Sequence, residues 1–185
     1  MRNKHFTISS TNTTIRVFLG MKKSDLEQIE FKTRDLLEDA VGDIYFIEPP
    51  INIAKILEKL GLSLALTGFK DPGVSGAFDK KTQTIYLSKN DSKKRQAFTI
   101  AHEIGHIILG HKKKVDLFYR TQADSFDGQS QEEEKQANYF AASLLMPKEL
   151  VEKFWETHHD IELLAAYFGV SRTAAYWRLK ELSLI

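Results

Sequence analysis

Apolar residues recur with helical spacing in two stretches of the first third of the chain. Between Ser24 and Gly42 they fall on one face of a helix, and Ser24 is a candidate N-cap. A shorter amphipathic stretch over residues 53–60 is followed by Gly61, a residue type that commonly ends helices. We therefore predict two helices, the first packing on the outside of the core.

Short apolar runs in the next part of the chain predict strands instead. Residues 62–67 form one run, and residues 75–78 and 83–88 form two more, separated by a four-residue polar turn. The last two runs predict a β-hairpin. We expect the 83–88 strand to offer an open edge with which an extended peptide can pair, and a plain structural sheet is the alternative.

A strongly apolar helix is predicted from Phe98 to Leu109, and it contains the pattern His-Glu-x-x-His. His102 and His106 are four residues apart, so both can turn a ring nitrogen toward one ion, and this spacing suits zinc. Glu103 lies about 100° further round the helix and can reach a water beside the metal, as a general base does. The alternative is a pair of satisfied core histidines.

Composition limits how such a metal is held. The chain has 185 residues, 42% hydrophobic and 28% charged, as in one globular domain with or without a small appendage. It has no Cys, so His and carboxylate must bind any metal. The net charge of +1 gives no general attraction to nucleic acid or membrane, and no apolar run approaches the ~18 residues of a membrane span. We expect a cytoplasmic protein.

Two histidines need a third protein ligand to make a catalytic site with an open position. The metzincin pattern would supply a third histidine, but Leu109 and Lys112 occupy the positions seven and ten beyond His102. His111 points off the ligand face of the helix, and we interpret it as a C-terminal residue that complements the helix dipole. The third ligand is therefore sought elsewhere.

A later helix offers three carboxylates. It is predicted to open at Ser130 with a capping box and to end before Pro147. Glu132 faces away from its apolar side, whereas Glu133 and Glu134 lie about equally far from the centre of that side. Spacing alone leaves these two tied.

Residues 98–106 (FTIAHEIGH) and 134–147 (EKQANYFAASLLMP) together resemble the ImmA/IrrE family of metallopeptidases, a family similar in plan to the Glu-type zincins. The resemblance covers about residues 50–147. It implies that Glu134 is the third metal ligand. It also maps Asn138 onto a position whose amide can orient a ligating histidine.

The resemblance implies an α+β fold, with helices around a small, mainly antiparallel sheet. It further implies a Zn²⁺-dependent endopeptidase that cleaves a helix-turn-helix repressor of mobile-element or stress-response genes, with Glu103 as the general base. The rival interpretation is a DNA-binding transcriptional regulator whose metal site is structural or vestigial.

Residues 160–182 resemble a helix-turn-helix unit, with an Asp and a Ser placed to cap its two helices. The second helix has only a modest positive balance, with Arg172, Arg178 and Lys180 against Glu181. We therefore expect this pair to pack on the core or to dock a repressor, and not to be a primary DNA reader.

The chain is predicted to divide into three parts. Residues 1–48 form a tail and a helix, with one short strand near residues 15–19 in the tail. Residues 49–157 form the zinc peptidase core, and residues 158–185 form the C-terminal helix pair.

Overall fold

Seven α-helices and four strands make up the parts of the chain that the structure describes. The computed structural model describes residues 20–111, 117–119 and 128–185, with the side chains of residues 20–111 and 132–185. In chain order the elements are α1 (Lys23–Ala40), a 3₁₀ turn (Ile44–Phe46), α2 (Ile53–Leu60), β1 (Ser63–Thr67), β2 (Val74–Asp79), β3 (Thr84–Ser88), α3 (Lys93–Leu109), β4 (Leu117–Tyr119), α4 (Gly128–Leu145), α5 (Lys148–His158), α6 (Ile161–Tyr167) and α7 (Arg172–Glu181). None of the described helices has the length and apolar character needed to cross a bilayer.

The four strands form one mixed sheet in the order β1-β3-β2-β4. The predicted hairpin is present, with β2 and β3 antiparallel and Gly76 opposite Leu87. β4 also runs antiparallel to β2, whereas β1 runs parallel to β3. This arrangement, with helices packed around a small sheet, confirms the predicted α+β class.

The expected open edge at residues 83–88 was wrong. Every residue of β3 is in register with a residue of β1 on one side, and β2 pairs with β3 on the other. The run of apolar residues in β3 reflects an interior strand, since Ile85 and Leu87 are both buried. The outer strands of the described sheet are β1 and β4.

The sheet presses closely against α3. A Cβ atom placed on Gly76 of β2 would lie 2.4 Å from the Cγ2 atom of Thr99, so only glycine fits there. At the end of β3, the side-chain amide of Gln96 donates a hydrogen bond to the carbonyl of Ser88. The sheet therefore supports the helix that carries the histidine pattern.

The apolar face of α1 is as predicted, but its start is not. α1 buries this face along α4, with Leu37 fully buried, and it leaves Phe31 on the other face 69% exposed, as expected for a helix on the outside of the core. Its N-cap is Lys22, which makes no side-chain capping bond, and Ser24 lies inside the first turn. Packing, not a cap, therefore decides where this helix lies.

The other predicted element boundaries agree with the structure to different extents. α2 ends at Gly61, whose φ is 65°, and Asp160 and Ser171 cap α6 and α7 through their side chains. α4 begins at Gly128, so the predicted start at Ser130 was wrong by two residues. The predicted strand at residues 15–19 lies outside the described residues.

A buried arginine joins the C-terminal helix pair to the rest of the protein. Arg178 of α7 is fully buried, and it donates two hydrogen bonds to Glu30 of α1, at 2.7 and 3.1 Å. Its Nε atom donates to the carbonyl of Met146, at 2.9 Å. Glu30 also accepts hydrogen bonds from Tyr139 and Ser143 of α4. One charged group thus connects α1, α4 and α7.

The interactions of Glu30 explain why this carboxyl is charged when it pairs with Arg178. Burial raises the pKa of Glu30, but the positive charge of Arg178 and the hydrogen bonds from Arg178, Tyr139 and Ser143 outweigh it, so the pKa lies below its ordinary value. Glu30 is therefore ionised and paired at neutral pH, and its charge is compensated within the core.

Replacing Arg178 by Ala should lower the free energy of unfolding by about 3–5 kcal/mol, because it leaves the mostly buried Glu30 carboxylate without its charged partner. Chemical denaturation measures this loss. Arg172→Ala is the matched control, since Arg172 is exposed and pairs with the exposed Glu162. Equal stability losses in the two variants would contradict the assignment.

Candidate metal centre

Besides Gln96 and Thr99, the helix α3 carries three ionisable side chains into the protein interior. It begins at Ser92, whose Oγ accepts a hydrogen bond from the backbone N–H of Arg95. In its middle, His102, Glu103 and His106 are 0%, 1% and 4% exposed. Burying polar groups on an otherwise apolar helix is costly unless each of them has a partner.

The partner of the two histidines is Glu134 of α4. The Nε2 atoms of His102 and His106 are 3.0 Å apart. One carboxylate oxygen of Glu134 lies 3.1 Å from Nε2 of His102, and the other lies 3.2 Å from Nε2 of His106. Among the described residues, these three form the group of His, Cys, Asp or Glu side chains that could hold a metal ion. The structure thus brings together the three residues predicted as ligands.

The two other glutamates at the start of α4 are outside this cluster. Glu132 and Glu133 are half-buried and contribute no atom to it. The tie that spacing left between Glu133 and Glu134 is therefore resolved by how α4 is rotated against α3, and this rotation places Glu134 at the histidines.

The electrostatics of Glu134 favour its charged form. Burial raises the pKa of this carboxyl, but hydrogen bonds and charge interactions with His102 and His106 outweigh burial and hold the pKa far below its ordinary value. An ionised carboxylate that faces two imidazole nitrogens is a donor set for a divalent cation.

Asn138 lies one turn beyond Glu134 on α4. Its Oδ1 atom is 3.0 Å from Nδ1 of His102, the ring nitrogen that does not face Glu134. If this nitrogen carries the ring proton, Nε2 is left with a free lone pair pointing toward the cluster.

The interpretation of His111 from sequence missed its contacts. His111 follows Gly110, which ends α3 with φ 72°, and its backbone N–H donates to the carbonyl of His106. The Nδ1 atom of His111 lies 3.0 Å from Nδ1 of His106, and its Nε2 atom lies 3.0 Å from Oε1 of Gln136. The glycine just before His111 was the signal available in the sequence, because a left-handed turn redirects the next side chain toward the helix.

The helices α3 and α4 meet at a glycine between the two histidines. A Cβ atom on Gly105 would lie 3.2 Å from the Cα and the carbonyl oxygen of Ala137, and 3.2 Å from Cβ of Phe140. Such contacts are too short for a relaxed fit with backbone atoms. The lack of a side chain at Gly105 therefore lets α4 approach closely enough for Glu134 to reach both histidines.

Comparison with known families gives a match over most of the chain. The family model of the IrrE N-terminal-like domain, a peptidase family, matches residues 57–180. This stretch includes all of the residues of the cluster.

Three relatives have related sequences. The chain is 34% identical over 113 residues to the radiation response metalloprotease IrrE of Deinococcus radiodurans, covering 57% of this chain and 33% of that protein. The identity is also 34% to the protein of the same name from Deinococcus deserti, covering 57% and 39%. An uncharacterized immunity region protein of Bacillus phage phi105 is 28% identical, covering 57% and 63%. The chain therefore spans about a third of the length of the two metalloproteases.

A solved structure shares the fold. A transcriptional regulator of Mycobacterium tuberculosis superposes with a TM-score of 0.64 at 14% identity, covering 91% of this chain and 50% of that one. At this identity the match concerns the fold alone.

Replacing Gly105 by Ala should weaken divalent-metal binding by about tenfold or more, because the added methyl group pushes α4 and Glu134 away from the histidines. The overpacking should also lower stability by about 1–3 kcal/mol. Competition with a chromogenic chelator measures the affinity. The control is Gly68→Ala, because among the described residues a Cβ there meets the flexible end of the Lys89 side chain. Unchanged affinity in Gly105→Ala would contradict the role of this contact.

Proposed function

Because the chain belongs to the ImmA/IrrE family of metallopeptidases, we propose that it is a zinc-dependent, site-specific endopeptidase. The observation that carries the proposal is the convergence of His102, His106 and Glu134 beside the buried Glu103. Three protein ligands leave a fourth position for water or substrate, whereas structural zinc sites are usually closed by four protein ligands.

The donor set fits zinc. In a tetrahedral zinc site with bonds of about 2.0–2.1 Å, neighbouring ligand atoms are roughly 3.3 Å apart. The two Nε2 atoms are 3.0 Å apart, and each lies 3.1 or 3.2 Å from a different oxygen of Glu134, so these separations are close to this value. Two imidazoles and one carboxylate are also a common catalytic zinc set, and the chain has no Cys that would favour another site.

Zinc, when bound, supplies Lewis acidity, which makes water easier to deprotonate and polarises the scissile carbonyl. Glu103 is placed one residue from His102, and its role is to take the proton of the attacking water. The same carboxyl then delivers that proton to the leaving amine nitrogen. Asn138 holds the ring of His102 in the tautomer that directs Nε2 at the metal.

Purified protein should contain about one zinc per chain, and His102→Ala or Glu134→Ala should remove it. Glu103→Gln should keep the metal and lose peptide cleavage by about 10²–10⁴-fold, because the amide cannot accept the water proton. Elemental analysis and a peptide-cleavage assay measure the two effects separately.

Glu133→Ala is the matched control for the ligand assignment. It removes a neighbouring carboxylate that lies outside the cluster, so it should leave the metal content unchanged. Loss of zinc in Glu133→Ala with retention in Glu134→Ala would show that the assignment is wrong.

The substrate that we propose is a helix-turn-helix repressor, whose cleavage releases transcription of mobile-element or stress-response genes. Two relatives are named a radiation response metalloprotease and an immunity region protein, and both names support a regulatory role. A cleavable segment must be extended, because a helical segment has its main-chain groups already paired. With β3 in the interior of the sheet, such a segment would pair with β1 or β4.

The DNA-binding alternative is less well supported. The Arg178 side chain in α7 is fully buried and bound to Glu30, so it cannot contact phosphate. Arg172 is exposed but pairs with Glu162. The remaining basic side chain of residues 160–182 is Lys180, which is exposed and lies over the Tyr176 ring, so the segment offers little positive charge for DNA. A protein partner fits the exposed apolar side chains of this pair better; they are Leu163, Tyr167 and Trp177.

Co-expression with a helix-turn-helix repressor encoded next to its gene should give one discrete cleavage of that repressor. The cut should require metal and Glu103, because both belong to the proposed chemistry, and intact-mass spectrometry locates it. The Glu103→Gln variant is the control for contaminating proteases.

Unfolded casein tests the site-specific part of the proposal. Casein cut at many positions, with the intact repressor untouched, would indicate a general protease. No cleavage of either protein by zinc-loaded enzyme would contradict the peptidase assignment itself.

A further inference from the structure

Each histidine of the metal centre has its second ring nitrogen held by another side chain. For His102 that nitrogen is Nδ1, which lies 3.0 Å from Oδ1 of Asn138. For His106 it is also Nδ1, which lies 3.0 Å from Nδ1 of His111. The two ligands are therefore supported in parallel, one by an amide and the other by a third imidazole.

The support of His106 extends one residue further. The Nε2 atom of His111 lies 3.0 Å from Oε1 of Gln136 on α4, the helix that also carries Glu134 and Asn138. His111 is half-buried, and its ring centroid is 4.9 Å from that of His106 at an interplanar angle of 75°. This edge-on arrangement directs nitrogen at nitrogen.

Only one set of tautomers satisfies the whole chain of hydrogen bonds. A metal at the cluster requires a lone pair on Nε2 of His106, so the proton of His106 is on Nδ1 and is donated to Nδ1 of His111. The proton of His111 is then on Nε2 and is donated to the carbonyl oxygen of Gln136. The amide oxygen of Gln136 accepts this bond and so determines which nitrogen of His111 carries the proton.

The backbone holds His111 in this place. Gly110 has a φ of 72°, which brings the chain back over the last turn of α3. The backbone N–H of His111 donates to the carbonyl of His106, at 3.0 Å. His111 is thus held both by its backbone and by its ring, as a residue that orients a metal ligand must be.

We propose that His111 is a positioning residue for the metal ligand His106, and that Gln136 positions His111. The inference rests on the metal site of the proposed function and adds to it two residues outside the ligand set. His111 and Gln136 do for His106 what Asn138 does for His102. They fix the orientation of the His106 ring, so that the lone pair of its Nε2 atom would point at a bound metal.

His111→Ala should weaken zinc binding by about 10–100-fold, the usual effect of removing a partner of a ligating histidine. His111→Asn offers a carbonyl oxygen to the same N–H and should restore part of the affinity. Gln136→Leu should lower the zinc affinity by less than His111→Ala does. If Gln136 acts only through His111, the double variant His111→Ala/Gln136→Leu should bind zinc as weakly as His111→Ala alone.

The measurements are the zinc dissociation constant, by chelator competition, and long-range ¹H–¹⁵N spectra of the histidine rings in zinc-loaded protein. The spectra should show the proton of His106 on Nδ1 in the wild type. In His111→Ala the ring signals of His106 should be broadened or shifted. The control is His158→Ala, because His158 is an exposed histidine on α5 whose Nδ1 faces the carbonyl of Phe154. Thermal unfolding verifies that each variant is folded.

The outcomes separate this inference from the proposed function. Wild-type affinity in His111→Ala would overturn the positioning role while leaving the metal site intact. Complete loss of zinc in His111→Ala, equal to that in His102→Ala, would make His111 a ligand and would also overturn it. A wild-type chain that binds no divalent metal would instead overturn the proposed metal centre.

Discussion

The close approach of α3 and α4 at Gly105 is the contact on which the candidate metal centre depends. The backbone of Ala137 occupies the space where a side chain at this position would stand. Helices normally pack with axes 8–10 Å apart, and small residues at the contact set the lower end of that range. At this distance a glutamate on α4 reaches two histidines on α3. A wider separation would take the Glu134 carboxylate away from the Nε2 atoms of His102 and His106.

The same contact explains how a polar cluster can lie within an apolar interior. His102, Glu103 and His106 are almost fully buried, so their desolvation must be offset within the protein. For the two histidines, α4 provides this compensation through Glu134 and Asn138. The ionised Glu134, whose pKa is held low by the histidines, is the centre of this compensation.

A second buried charge organises the opposite side of α4. Arg178 is paired with Glu30 and contacts the carbonyl of Met146, so α7 is connected to α1 and to the end of α4 through a buried arginine. A helix-turn-helix-like pair can therefore share its pattern with DNA readers and yet have its charge directed inward. An arginine on such a helix binds a DNA phosphate in a DNA-binding protein and a buried carboxylate in this one.

The sequence alone determined those features that depend on residues close together in the chain. The spacing of His102 and His106 on an apolar helix, the end of α2 at Gly61 and the caps at Asp160 and Ser171 are local, and all of them were readable from spacing and residue type. The identity of Glu134 as the residue that meets the histidines was readable only through the family resemblance, because two glutamates had equal spacing.

Only the tertiary structure decided the features that depend on distant parts of the chain. Strand order placed β3 inside the sheet, because β1 pairs with it in parallel across a long connection that no local pattern encodes. The burial of Arg178 required α1 to supply Glu30 from 148 residues away. The contact of His111 with Gln136 likewise joins the turn after α3 to α4. Such contacts depend on how whole elements dock, and docking is set by the summed packing of the core rather than by any short stretch of sequence.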